Sequence, residues 1–180
     1  MSSSNRNTAL VPAAVFALGL AVVAWIAIGY LGSNALALAV TLLIGACYVV
    51  GGLELLRYRR ATTSLAAAVD RLATPPDSLG PWLDTLDPSL RTAVRLRVEG
   101  ERVALPVPAL TPYLVGMLVL LGMLGTLLGM MVMLRGTGMA LETATDLQAI
   151  RDSLAAPVKG LGFAFGTSIA GIATSAMLGL

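Results

Sequence analysis

A chain of 180 residues that is 57% hydrophobic, only 12% charged and close to neutral at +2 is not an ordinary soluble domain. It has no histidine and one cysteine, which excludes a disulfide framework and any metal site built from protein ligands alone. Its apolar residues gather in four runs, about 9–31, 35–56, 110–134 and 155–180, each near the roughly 20 residues a helix needs to cross hydrocarbon.

The runs are continuous rather than alternating, which rules out an outer-membrane barrel. The expected fold is therefore all-α: a polytopic membrane protein with four transmembrane helices and a helical insert on the cytoplasmic side. Met1–Thr8 has the look of a signal-peptide start, but the next run is too long for one and a second run follows closely. Thr8 is expected to cap the first helix, with Pro12 in its first turn. Leu31-Gly32-Ser33-Asn34 is a turn signal, so residues 1–57 should form a transmembrane hairpin. The lone Cys47 reads as a packing residue, and Glu54, at the end of its span, as an interfacial charge paired with Arg57.

Arg57, Arg59 and Arg60 close the second run, and Arg71, Arg91, Arg95, Arg97 and Arg102 follow before the third. Only Arg135, Arg151 and Lys159 fall near the other side, so the positive-inside rule puts 58–109 and the N-terminus in the cytoplasm. These arginines lack interleaved aromatics, and no nucleic-acid partner is expected. The second helix should continue through Ala61–Ala73 until Pro75-Pro76 stops it. Asp87 followed by Pro88 is a helix start, predicting a helix over about 88–104 weakened by Gly100, with Leu90, Val94, Leu96 or Arg97, and Val98 on its buried side. Pro106, Pro108 and Pro112 then lead into the third span.

Residues 110–180 form the expected core: a span over 110–134, a periplasmic loop and surface helix over 135–154 (its helical part from Met139), and a last span opened by Pro157. Lys159 is placed to snorkel to the outer headgroups. The last run reaches Leu180 without a closing basic residue, so a truncated chain with more sequence beyond is expected. Gly122, Gly125, Thr126 and Gly129 share one helical face; Thr167, Ser168, Gly171, Thr174 and Ser175 line the other. Small faces let helices pack closely, and hydroxyls there bond back to their own helix. Alternatively, Thr126, Ser168 and Thr167 line a polar path. Ion conduction through a membrane normally needs an ionisable group, and neither span carries an Asp, a Glu or a His. If ions move here, a second protein supplies the acid.

Gly122-Met123-Leu124-Gly125-Thr126-Leu127-Leu128-Gly129 resembles the glycine-threonine motif of the MotA/TolQ/ExbB proton-channel family, and Thr167-Ser168-Ile169-Ala170-Gly171 is similar to the pattern of that family's last helix. The run Ala164–Ile172 resembles the ZorA-like motor subunits of Zorya anti-phage defence most closely. The resemblance covers about residues 110–180. It implies an inner-membrane subunit forming a homopentamer around two copies of a single-span MotB/ExbD/TolR/ZorB-like protein, which binds peptidoglycan in several family members. The partner's transmembrane Asp would carry the ion past Thr126 and Ser168 and drive rotation; no cofactor is implied. Ser168 keeps a hydroxyl but lacks threonine's methyl, leaving H+ and Na+ both open. Two other classes compete. A structural membrane scaffold tethering a cytoplasmic tail would use the small faces for packing alone. A solute transporter lacks the broken helices and charged groups such sites use. No nucleophile–base pair or phosphate loop can be assembled, so the chain is not expected to be an enzyme.

Overall fold

The computed structural model describes all residues except Met1, 71–78, 103–106 and 144–146, with side chains also undescribed at 2–9, 136–137, 139–160 and 163. The described residues are helical and loop: α1 (Ser2–Tyr30), α2 (Ala35–Asp70), α3 (Leu79–Asp84), α4 (Pro88–Val98), α5 (Thr111–Thr143) and α6 (Leu147–Gly179). Three stretches are long and apolar enough to cross a membrane: Leu10–Tyr30, Ala35–Asp70 and Thr111–Arg135; Ala164–Gly179 is a shorter apolar stretch. Their outer faces present Trp25 (80% exposed), Leu120 (66%) and Ile169 (57%). So much exposed apolar surface suits hydrocarbon as the surrounding solvent. This is a membrane protein's surface.

Two compact units emerge, Met1–Gly51 with Pro112–Leu180, and Gly52–Thr111. In the first, Leu31–Asn34 makes the expected tight turn. Gly32 takes φ +78°, a left-handed conformation that glycine adopts without a Cβ clash. The Asn34 side chain then accepts from the Ala37 N–H at 3.1 Å and starts α2. The Tyr48 ring stacks on Phe16 at 4.8 Å, and its hydroxyl donates to the Phe16 carbonyl, joining α2 to α1. Gly19 makes room for that ring. Tyr30 likewise lies against Gly166, so α1 packs beside α6.

Several boundaries differ from the sequence expectation. α1 begins at Ser2, so Thr8 is inside the helix rather than its cap, and Pro12 lies beyond the first turn. The expected break at Arg135-Gly136-Thr137-Gly138 is absent: α5 continues through it to Thr143. Glycine in a helix costs only about 1 kcal/mol, and none of these glycines takes positive φ. The separate loop and surface helix over 135–154 is thus replaced by extensions of two long helices, with 144–146 outside the described residues. For the same reason Pro157 does not start the last helix; α6 begins at Leu147 and runs through it. Membrane helices tolerate an interior proline when neighbours satisfy the freed carbonyl.

In the second unit α2 runs to Asp70, and Pro75-Pro76 lie outside the described residues. Ala61, Leu86, Leu90 and Val94 form a small core, with Leu65, Ala68, Trp82 and Leu83 packed against it. Leu90 and Val94 are buried as expected, joined by Ala93, whereas Val98 is exposed. α4 stops at Val98 rather than near 104. Gly100 does more than weaken it. At φ +93° it closes the helix, with its N–H donating to Arg97 O and the Glu101 N–H to Leu96 O. That is a Schellman ending.

Asp87 caps α4 as expected, its carboxylate accepting from the Ser89 N–H at 3.0 Å and the Ser89 hydroxyl at 2.7 Å. These bonds, more than the nearby Arg91 charge, hold the Asp87 carboxyl below its ordinary range. A depressed folded-state pKa means the cap contributes fully above the unfolded value and is lost as pH falls through the folded one. The Ser89 amide resonance should therefore titrate in acid in the wild type and stay flat in Asp87→Asn, which keeps an acceptor without the charge; NMR pH titration checks this.

Candidate functional site

α5 and α6 run antiparallel, and their small faces meet along one seam. Gly122 and Gly171 mark the closest approach. A Cβ on Gly171 would lie 2.5 Å from Leu118 O and 2.8 Å from Gly122 Cα; one on Gly122 would lie 3.2 Å from Gly171 Cα. Both obstacles are backbone and cannot rotate away. Further along, Gly125 accommodates the Thr167 side chain and Gly129 lies under Ala164. Glycines at spacings of three and four are what bring these two backbones together. At the other end, the Ser175 hydroxyl donates to Val115 O at 3.0 Å, a bond between the two helices.

The other hydroxyls of the seam divide into two kinds. Thr167 and Thr174 are fully buried. Thr167 donates to Ala164 O at 3.0 Å and Thr174 to Ala170 O at 2.7 Å, so each is satisfied by its own helix. Thr167 thus faces the helix contact and does not stand with the other two at an open edge. Thr126 and Ser168 do stand together, with hydroxyl oxygens 2.5 Å apart and both partly buried. Thr126 also reaches Gly122 O at 3.0 Å, and Ser168 reaches the same carbonyl at 3.2 Å.

Two hydroxyl protons serve these three contacts. With Thr126 donating to Gly122 O, Ser168 donates to Thr126 and keeps both its lone pairs as acceptors. On α5, Met123 and Met130 flank Thr126 on the exposed side; on α6, Phe165 and Ile172 flank Ser168. The pair is a polar point at the rim of the seam, opening onto an apolar exposed surface. Chemically it offers neutral hydrogen bonds to a carboxyl group or a water, and no charge. No family model, curated protein or solved structure matches this chain.

Sequence reasoning missed two features. The Tyr30–Gly166 and Tyr48–Gly19 contacts anchor α1, and the signal was a tyrosine within a span whose neighbours include isolated glycines. Glu54, expected to pair with Arg57, makes no ion pair among the described residues. Instead its carboxylate accepts from the Leu110 N–H at 2.9 Å and the Thr111 hydroxyl at 2.8 Å. The unpaired N–H groups of a helix start attract a carboxylate strongly enough to draw it from an exposed arginine.

Proposed function

We propose that this chain is the ring-forming, inner-membrane subunit of an ion-driven rotary motor, with H+ the carried ion. Five copies surround two copies of a single-span MotB/ExbD/ZorB-like partner whose transmembrane Asp carries the proton, with ZorA-like anti-phage defence as the work performed. The observation that supports this most is the Thr126–Ser168 pair, two hydroxyls meeting each other at the rim of a seam where Thr167, Thr174 and Ser175 are each bonded to a backbone carbonyl. A protonated Asp brought to that rim would find the Ser168 lone pairs as acceptors, and an ionised one the Ser168 proton once it turns from Thr126, at little desolvation cost relative to bare hydrocarbon. None of this chain's ten acidic residues lies in 1–53, 102–141 or 153–180, and in this reading the moving charge is the partner's. In this reading the four apolar helical stretches all cross the membrane, with the N-terminus inside.

The test is proton uptake by proteoliposomes holding this chain with a co-expressed single-span protein that bears a membrane Asp. Uptake should require both polypeptides and the partner's Asp. The scaffold reading is favoured by the self-satisfied hydroxyls of Thr167 and Thr174. It predicts no uptake with any such partner.

A further inference from the structure

The Gly52–Thr111 unit holds a groove of about 430 Å³ that the ion-path reading does not use. Arg57, Tyr58 and Arg60 form its polar wall, and Ala61, Leu90 and Pro108 are among its apolar lining. Two carboxylates also line it, and both are occupied. Glu54 is held by the Leu110 N–H and the Thr111 hydroxyl, and Asp87 by Ser89. Among the described residues neither the Arg57 nor the Arg60 guanidinium makes an ion pair. Two arginines without an ion-pair partner among the described residues therefore line a groove whose two carboxylates, still charged, are already hydrogen-bonded at helix starts. Guanidinium forks match phosphate oxygens in geometry as well as in charge.

The groove's position in the sequence says which phosphate. Arg57 and Arg60 follow the apolar run 35–56 within four residues, and Pro108 precedes the run that opens at 110. Side chains there sit at headgroup depth in any arrangement that buries those runs, and the phosphate most abundant at that depth belongs to lipid. We propose that this groove binds the headgroup of an anionic phospholipid, its phosphate on Arg57 and Arg60 and its glycerol and first acyl carbons on the apolar lining. The site is independent of ion conduction and rests only on the chain spanning a membrane.

Native mass spectrometry of the full chain in detergent, titrated with dioleoyl phosphatidylglycerol, tests it; dioleoyl phosphatidylcholine and inorganic phosphate form separate arms. At roughly fivefold per arginine, Arg57→Gln with Arg60→Gln should weaken phosphatidylglycerol binding about 30-fold. Arg59→Gln with Arg97→Gln removes the same charge outside the groove and should change it less than about threefold. All four side chains are exposed and none forms an ion pair among the described residues, so folding is not at stake. Equal loss in the two double variants would mean diffuse surface attraction and overturn the site. Inorganic phosphate displacing the lipid at millimolar concentration, or phosphatidylcholine binding as tightly, would overturn the lipid assignment.

Discussion

Gly171→Ala should destabilise the α5–α6 hairpin by about 2–3 kcal/mol, the upper end of the cost of overpacking a close contact. The added methyl meets Leu118 O at 2.5 Å and Gly122 Cα at 2.8 Å, and both are backbone of a helix that cannot yield locally. The helices must separate, which removes the dispersion contacts of the whole seam and pulls Thr126 away from Ser168. Gly116→Ala, on the facing helix α5, is the control. Nothing lies within 4 Å of its new methyl, so alanine's better helix propensity leaves the protein unchanged or slightly more stable. Circular dichroism during SDS-induced unfolding reads both variants. Equal stability for the two would refute the close crossing at Gly122 and Gly171.

The second large effect separates chemistry from packing. Thr126→Val and Ser168→Ala should each lower partner-dependent proton uptake at least tenfold while costing no more than about 1 kcal/mol of stability. The small cost follows from the geometry. Without Ser168, Thr126 still donates to Gly122 O; without Thr126, Ser168 still reaches that carbonyl at 3.2 Å. Neither change leaves a buried donor alone. If the two hydroxyls act as one unit, the double variant is no worse than either single, a non-additivity that independent packing sites do not show. Thr174→Val is the comparison, since that hydroxyl is fully buried and satisfied within α6, and uptake should be unchanged. Full uptake in both rim variants would remove the hydroxyls from the mechanism.

Much of this was legible in the residues. Run lengths and hydropathy reveal the apolar helices because hydrocarbon tolerates little else. The spacing of Gly122, Gly125 and Gly129 reveals a contact face because only a missing Cβ permits that approach. Asp87-Pro88 reads as a helix start because capping is a local interaction. What escaped depended on distant partners or on weak local signals. Arg135–Gly138 looks like a turn, yet a helix absorbs two glycines cheaply when nothing forces the chain to reverse. Pro157 looks like a start for the same local reason and is overruled by the helix that begins at Leu147. Glu54 finds Leu110 and Thr111, more than fifty residues away, over an arginine one turn along its own helix. Spacing alone gave Thr167 and Ser168 equal standing, and only the packing against Gly125 turns Thr167 inward.

Counting subunits tests the central claim most directly, since a neutral hydroxyl rim has a role in ion movement only if copies of it surround another chain. Native mass spectrometry of the protein extracted in a gentle detergent, with its co-expressed single-span partner, should give five copies of this chain with two of the partner. A monomer that retains its helicity and holds no partner would contradict the motor reading.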